Sequence, residues 1–203
     1  MRLKDKKIGF GITGSHCTLE PILPEIDRLI KEGAEVYPVI SPAIDFTDTR
    51  FGDAIEWKTK LVKATGRKLI NSIVGVEPLG PSKLLAAYVI APCTGNTLAK
   101  IANGITDTAV LMGAKAHLRN QRPLIVAIST NDGLGLNAKN ISTLLIAKNV
   151  YLVPFGQDQP FTKPNSLIAK MELLVPTILA ALEGRQLQPL LINHAQEEFQ
   201  LKS

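Results

Sequence analysis

The sequence predicts an α/β fold in which a doubly wound parallel sheet carries helices on both faces, giving three layers in a single domain. Three observations lead to this fold class. Five short apolar runs with the character of buried strands alternate with helical patterns along the chain. Two of these strands run directly into short loops rich in Gly, Thr and Ser, each followed by a helix. The length of 203 residues suits one core of this kind.

Composition narrows the possible functions. Hydrophobic residues make up 45% and charged residues 20%, which predicts a folded chain. The net charge is +5, but Lys and Arg are spread along the chain and aromatics are only 5%, so we expect small anionic ligands rather than nucleic acid. No apolar run approaches the ~18 residues of a membrane span, so we expect a cytoplasmic protein without membrane contact. Two cysteines and three scattered histidines indicate no metal site.

The first strand, predicted over residues 6–12, leads into a loop that ends in Thr13, Gly14 and Ser15. A helix is predicted over residues 19–32, with two prolines in its opening turn, where a missing N–H donor is tolerated. His16 and Cys17 lie where this helix begins, beside the expected ligand. Both are candidate catalytic residues, and a capping or packing role is the alternative for His16.

The same region contains Gly9-x-Gly11-x-x-Gly14, which is the spacing of a dinucleotide-binding fingerprint. A dinucleotide site also needs an Asp or Glu at the end of the second strand to bind the ribose. That strand, predicted over residues 34–40, ends instead in Ser41. The residues therefore favour a mononucleotide such as FMN.

The strongest candidate site follows the apolar run 84–90, which is predicted to be a buried strand. Pro92 is expected to end this strand because it has no N–H group. Thr94, Asn96 and Thr97 are candidate caps for the helix that follows, which is predicted to begin near residue 98. Free N–H groups at a helix N-terminus attract anions, so we predict that a phosphorylated ligand binds here, beside the first loop. An ordinary strand–helix loop with a good cap is the alternative for either loop alone.

Further elements complete the predicted sheet. A strand over residues 122–129 ends in hydroxyls at Ser129 and Thr130, and a fifth strand covers residues 150–155. The remaining helices are predicted over residues 53–65, 107–118, 140–147 and 166–182, with Asp107 capping the second of them. Residues 131–137 form a candidate mobile lid, and residues 156–165 form a loop of a length that often carries function. We place the domain at residues 1–184 and a polar tail at residues 185–203.

Two basic residues are candidates for binding an acidic substrate. The guanidinium of Arg50 could bind a carboxylate through two hydrogen bonds, and Lys139 follows the candidate lid. Solvated surface charge is the alternative for both.

The two loop motifs carry a family resemblance. They read Gly11-Ile12-Thr13-Gly14-Ser15 and Pro92-Cys93-Thr94-Gly95-Asn96-Thr97. They resemble the homo-oligomeric flavin-containing cysteine decarboxylase family, in which the second motif usually reads Pro-Ala-Ser-Ala-Asn-Thr. The resemblance covers residues 6–184 and implies a flavodoxin-like, Rossmann-type fold, FMN as cofactor, and a trimer or a multiple of trimers. It implies that the cofactor contacts Gly11, Thr13, Gly14, Ser15, Ser41, Pro92, Cys93, Thr94, Gly95, Asn96, Thr97, Ser129 and Thr130.

The sequence departs from that family in two places. The decarboxylases place a histidine just before the third core strand, whereas residues 76–82 here contain Gly and Pro and no histidine. They also have a Pro-Ala-Met-Asn type loop, which residues 131–137 do not match. We expect that the flavin cradle is kept and that the chemistry has changed.

Within the family, the resemblance implies a redox subunit found in sporulating bacteria. It would work in the mother-cell cytoplasm on a small dicarboxylate, together with a companion subunit of the NAD(P)-binding type. The candidate catalytic residues for this chemistry are His16, Cys17, Arg50 and Lys139. The alternatives are a flavin-dependent decarboxylase of a cysteine-type substrate and a non-catalytic flavin-fold partner subunit.

Overall fold

A seven-stranded sheet organises the chain, and the computed structural model describes residues 1–193. Apolar runs dense in Val and Ile supply its central strands, which are buried on both faces. The strands are β1 (Lys7–Ile12), β2 (Glu35–Ile40), β3 (Ala87–Cys93), β4 (Leu124–Thr130), β5 (Val150–Leu152), β6 (Phe155–Gly156) and β7 (Leu167–Ala169).

The parallel part of the sheet has the strand order β2-β1-β3-β4, with β5 beside the first half of β4. The second half of β4 pairs instead with β7, which runs antiparallel to it and also pairs with β6. Parallel strands end at the same edge, so the loops after β1, β2, β3 and β4 meet there. The predicted α/β class with a doubly wound, mostly parallel sheet is confirmed.

Eight α-helices flank the sheet within residues 1–193. Helix α1 contacts α8, whereas α6 lies along β1 to β4 and contacts α5 and α4. The helices are α1 (Leu23–Lys31), α2 (Pro42–Phe46), α3 (Ala54–Thr65), α4 (Ile73–Val76), α5 (Gly95–Ala102), α6 (Ala109–Arg119), α7 (Ala138–Leu145) and α8 (Leu174–Leu182). Helix α3 begins with a capping box at Asp53 and Glu56 and ends at Gly66 in the left-handed conformation, close to the predicted bounds.

Three predicted helix starts before residue 120 are wrong. The segment before α1 forms two short 3-10 turns, His16–Thr18 and Glu20–Ile22, in place of an α-helix. Helix α5 begins at Gly95 rather than near residue 98. The cap of α6 is Thr108, whose hydroxyl accepts a hydrogen bond from the Leu111 N–H at 3.3 Å. Asp107 forms an ion pair with Lys100 instead, at 2.6 Å.

Strand β3 continues through Pro92 to Cys93, so the prediction that Pro92 ends the strand is wrong. The pairing of β3 with β4 shifts register between Ile90 and Cys93. An irregularity of this kind leaves a strand position without a ladder hydrogen bond, which accommodates a residue that has no N–H to donate. The strand therefore brings Cys93 into the core.

The C-terminal third differs most from prediction. The expected fifth strand is divided into β5 and β6, and the expected helix over residues 166–182 contains β7, a 3-10 turn at Met171–Leu173, and only then α8. The whole run is apolar, and its first part pairs with β4 as an edge hairpin. An apolar run does not by itself distinguish a buried strand from a buried helix.

Residues after Gly184 still contact the sheet. The Gln186 side chain donates to the Leu152 carbonyl oxygen at 2.7 Å and accepts from the Leu152 N–H at 2.9 Å. Phe155 pairs with Leu191. The proposed boundary at residue 184 remains a prediction, and residues 194–203 of the proposed tail lie outside the described part. No helix among residues 1–193 is long and apolar enough to cross a membrane.

Candidate functional site

Thr13 joins the two predicted loops at the edge of the sheet. It follows β1 and is 1% exposed. Its hydroxyl donates to the Pro92 carbonyl oxygen at 2.7 Å and accepts from the Thr94 N–H at 3.0 Å. One side chain therefore satisfies groups of both loops. The prediction that the two loops lie side by side at one edge is confirmed.

The first cavity opens at this edge and has a volume of about 390 Å³. Volumes of roughly 300–1,000 Å³ are typical of small-molecule sites. Its wall combines both loops with the end of β2 and the start of α6. The lining residues are Thr13, Gly14, Ser41, Pro42, Ala43, Thr94, Asn96, Thr97, Lys100, Thr108 and Leu111.

Hydroxyl groups in the first cavity are free to donate hydrogen bonds. Thr94 Oγ1 accepts from the Thr97 N–H at 3.3 Å and donates to Thr97 Oγ1 at 3.0 Å, so the Thr97 hydroxyl keeps its own hydrogen for a ligand. Ser41 begins α2 without making a capping bond, and its buried Oγ has no hydrogen-bond partner among residues 1–193. Together with the N-terminal N–H groups of α5, these hydroxyls suit a phosphorylated ligand.

Two glycines allow the loops to approach other segments closely. A Cβ atom on Gly14 would lie 2.6 Å from the Ala43 Cβ. One on Gly95 would lie 2.5 Å from Thr130 Oγ1 and 2.7 Å from Asn137 Nδ2. Cβ atoms do not tolerate such distances, so any larger residue would displace the cavity walls.

The second cavity adjoins the first, because Gly14 and Thr94 line both. Its volume is about 240 Å³, and its wall adds the end of β4 and the segment after β6. The lining residues are Gly14, Ser15, Cys17, Thr18, Thr94, Gly95, Ser129, Thr130, Asn131, Asp158, Lys163, Ser166, Leu167 and Ile168.

A chain of hydroxyls with a fixed direction connects the first loop to β4 in the second cavity. Thr18 Oγ1 donates its one hydrogen to the Ser15 carbonyl oxygen at 2.8 Å. Ser129 Oγ must therefore donate to Thr18 Oγ1, at 3.1 Å, and Ser15 Oγ must donate to Ser129 Oγ, at 2.7 Å. Ser15 Oγ is left with lone pairs only, so it can accept a hydrogen bond from a ligand but not donate one.

Three predicted cofactor residues lie behind the site and line neither cavity. Gly11 packs against α6, where an added Cβ would lie 2.9 Å from the Val110 Cγ1. Pro92 contributes its carbonyl oxygen to Thr13. Cys93 is fully buried, and burial raises the pKa of its thiol, so it stays protonated. The other ten predicted cofactor residues line at least one of the two cavities.

Two candidate catalytic residues lie at the site. Cys17 is exposed, lines the second cavity and lies 3.9 Å from Ser15 Oγ. His16 lies beside Gly14, at the border of the site. Its Nε2 would be 3.5 Å from a Cβ atom added to that glycine. Burial lowers the pKa of His16, so its imidazole is neutral near pH 7, and its buried Nδ1 has no partner in the described chain.

The other two candidate catalytic residues line neither cavity. Arg50 is exposed and its guanidinium stacks on the Phe51 ring, 4.9 Å from the ring centroid. Lys139 is exposed in the first turn of α7. Within one copy of the chain, the structure does not bring them to the other predicted site residues.

The structure adds polar lining residues that the sequence reasoning did not assign to a site, among them Thr18, Asn131 and Ser166 in the second cavity. Lys100 and Thr108 line the first cavity, and Asp158 and Lys163 line the second. Asp158 and Lys163 belong to the loop that was noted for its length alone. No spacing rule connects them to the strand ends, since only the β6–β7 hairpin brings that loop to the sheet edge.

Comparison with known proteins settles the family. The model of the family described as Flavoprotein matches residues 1–172. The chain belongs to the flavoprotein family. The relationship indicated by the two loop motifs is thereby confirmed, and the cavities described above lie within the part of the flavoprotein chain that matches.

Two proteins resemble this flavoprotein over almost its whole length. The B-type subunit of dipicolinate synthase from Bacillus subtilis (strain 168) is 54% identical over 194 residues, which are 96% of this chain and 97% of that protein. The crystal structure of the B-type subunit of dipicolinate synthase from Bacillus halodurans superposes with a TM-score of 0.88 at 52% identity, covering 95% of this chain and 99% of the other.

A more distant solved structure shares the fold. The FMN-dependent cysteine decarboxylase SpaF has a TM-score of 0.64 at 17% identity, and the match covers 89% of this chain and 99% of that one. At that identity the likeness describes the flavoprotein fold alone.

Proposed function

We propose that this chain is the FMN-binding, B-type subunit of a dipicolinate synthase. It would take part in forming dipicolinate, which is pyridine-2,6-dicarboxylate, from a dihydrodipicolinate-level precursor during sporulation. The observation that carries this proposal is the first cavity, with its set of free hydroxyl donors, in a chain 54% identical to the B-type subunit of a dipicolinate synthase. Conversion of the dihydro ring to the aromatic ring removes two electrons and two protons, which makes the complex an oxidoreductase.

The residues of the first cavity fit FMN. The unpartnered Ser41 hydroxyl and the Thr97 hydroxyl would donate to phosphate or ribityl oxygens, and the N-terminus of α5 would face the negative charge. Asn96 lines the same wall with an exposed amide. Bound FMN would supply a two-electron acceptor. The chain's own residues hold and orient the ligands.

The proposal includes partners. The B-type subunit of a dipicolinate synthase implies an A-type companion, for which we propose the NAD(P)-binding type, and either of the two is a candidate for the redox step. We also propose a homo-oligomer, as a trimer or a multiple of trimers, in the cytoplasm of the mother cell. Decarboxylation of a cysteine-type substrate is less well supported, because residues 76–82 contain no histidine and the likeness to SpaF extends only to the fold.

Titration of the purified chain with FMN, followed by flavin absorbance, tests the cofactor assignment. We expect stoichiometric binding by the unmodified chain and binding about 2- to 10-fold weaker for Asn96→Ala, since one neutral hydrogen bond contributes about 0.5–1.5 kcal/mol. Asn103→Ala is the matched control, because Asn103 caps the opposite end of α5 outside the cavity. A colourless protein that takes up no FMN would contradict the cofactor assignment and favour the non-catalytic partner subunit over the FMN-binding one.

A further inference from the structure

Two charged groups in the second cavity have no hydrogen-bond or ion-pair partner for the atoms concerned among residues 1–193. Asp158 Oδ1 is buried from solvent and accepts no hydrogen bond from residues 1–193. The ammonium group of Lys163 forms no ion pair within the described chain, including with Asp158. A buried carboxylate oxygen without a partner is costly, and native structures leave few such atoms unpaired. The buried Asp158 oxygen therefore indicates a ligand that supplies a donor, and the exposed Lys163 ammonium group in the same cavity is available to bind an anionic group of that ligand.

The hydrogen-bonding character of the wall limits the ligand further. Ser15 Oγ can only accept, because its hydrogen is committed to Ser129. Asp158 also accepts, whereas Lys163 donates and is positively charged. The cavity thus has acceptors for an N–H group and a cation for a carboxylate. Its volume of about 240 Å³ suits one small ring rather than a nucleotide.

A reduced ring dicarboxylate has both of these groups, and its aromatic product lacks one of them. An amine or iminium nitrogen in a reduced ring carries a hydrogen, which it would donate to Asp158 in a hydrogen bond. The negative charge of the carboxylate would also stabilise the positive charge of the protonated nitrogen. The nitrogen of a pyridine dicarboxylate is unprotonated near neutral pH and presents a lone pair to the carboxylate.

We propose that the second cavity is the substrate subsite and that it selects a reduced, N-protonated ring dicarboxylate over the aromatic product, with Asp158 binding the ring N–H and Lys163 binding a carboxylate. This inference rests on the proposed function. It gives product release a physical cause, because loss of the ring proton replaces a hydrogen bond with repulsion between two acceptors.

Isothermal titration of the full chain, saturated with FMN, tests this selection with two probes that differ only in the ring. Piperidine-2,6-dicarboxylate carries a protonated ring nitrogen and pyridine-2,6-dicarboxylate does not. We expect the piperidine compound to bind about tenfold or more tightly, the usual value of a hydrogen bond to a charged group. Asp158→Asn should bring the two affinities together, because an amide can donate to one ring and accept from the other.

Lys163→Gln should weaken both compounds by up to about fivefold and leave their ratio unchanged, because the lysine is exposed and contacts a group they share. Asp27→Asn and Lys170→Gln, exposed and outside the cavity, are the matched controls. The melting temperature of each variant verifies its fold. Lys163→Glu serves as a second charge change should Asp158→Asn prove unstable. We expect Lys163→Glu to abolish binding of both compounds.

Equal binding of the two compounds to the unmodified chain would overturn the inference. So would a preference for the piperidine compound that survives Asp158→Asn, or binding of both compounds that Lys163→Glu leaves unaffected. These results would leave the FMN titration intact. Conversely, failure to take up FMN while the piperidine compound still binds selectively would overturn the cofactor assignment and leave the subsite standing.

Discussion

The two cavities are built from the same pair of loops, yet their most constrained polar groups differ. The first presents hydroxyl hydrogens from Ser41 and Thr97, so it suits a ligand made of acceptors. The second presents acceptors at Ser15 and Asp158 and one cation at Lys163. The difference shows that a wall rich in hydroxyls has no fixed preference for ligand donors or ligand acceptors. The preference depends on whether the hydrogen of each hydroxyl is already used in a hydrogen bond within the protein.

One group in each cavity sets this direction. In the second cavity the Ser15 carbonyl oxygen can only accept, so Thr18, Ser129 and Ser15 must all point the same way around the chain. In the first cavity the Thr94 hydroxyl donates to Thr97, and Thr97 keeps its hydrogen. Residue types alone, which are Thr and Ser throughout, would predict the two walls to be alike.

The largest effect is expected from Thr13→Val, which removes the hydrogen bonds joining the two loops that both cavities share. The valine would leave the buried Pro92 carbonyl oxygen and the partly buried Thr94 N–H without their partner. At about 1–3 kcal/mol for an unsatisfied buried group, we expect a loss of about 2–4 kcal/mol in the free energy of unfolding by urea. Binding of FMN and of the piperidine compound should weaken together.

Thr177→Val is the matched control for this change. Thr177 is fully buried, but its hydroxyl only donates to the carbonyl oxygen of Leu173, the residue before α8, at 2.7 Å. We expect it to cost about 1 kcal/mol and to leave both ligands unaffected. If Thr13→Val weakened one ligand alone, the cavities would not depend on a shared support.

Sequence reasoning predicted the half of the fold that carries the first cavity. Strands β1 to β4 are six or seven residues long and largely apolar, and each is followed by a polar segment and a helix, so local pattern and topology agree. The hairpin of β6 and β7 was missed because its strands are two and three residues long. Pairs so short are decided by contacts with β4 and not by their own sequence.

The same distinction applies to the candidate site. Ser41, Thr94 and Thr97 were predicted because hydroxyls at the ends of parallel strands converge by topology. Asp158 and Lys163 reach the second cavity only through the missed hairpin, so no pattern in the sequence could place them. The direction of the hydroxyl chain depends on distances between residues more than a hundred positions apart, which a sequence does not contain.

A histidine in the core, away from the linings of both cavities, makes the stability of the fold depend on pH. His117 on α6 is 5% exposed, and its Nε2 has no partner among residues 1–193. Burial, followed by the charge of Arg122, lowers the pKa of His117 to about 4. The unfolded chain therefore binds more protons between about pH 6.5 and pH 4, and the stability present above pH 6.5 is lost as the pH falls.

We expect the free energy of unfolding to be about 2 kcal/mol lower at pH 5 than at pH 7, because each unit of difference between the pKa values of the folded and unfolded chains corresponds to about 1.36 kcal/mol. His117→Leu should remove most of this pH dependence. His16→Gln should remove a smaller part, because His16 also has a lowered pKa but is less buried. Urea unfolding at a series of pH values measures the slopes. An unchanged slope in His117→Leu would assign the effect to other groups.

Ser41→Ala has the smallest expected effect and divides the two cavities most sharply. The Ser41 hydroxyl is buried without a partner among residues 1–193, so its removal should change the free energy of unfolding by no more than about 0.5 kcal/mol in either direction. If the hydroxyl donates to FMN, affinity for the flavin should fall about 2- to 10-fold, while selection between the piperidine and pyridine compounds stays as it was.

Ser142→Ala is the matched control, because its lost hydroxyl donates within α7 and Ser142 lines neither cavity. It should change neither the flavin affinity nor the selection between the two compounds. Asp158→Asn should give the reverse pattern, so that each variant affects one ligand and spares the other. An effect of Ser41→Ala on both ligands would mean that the two cavities act as one site despite their different walls.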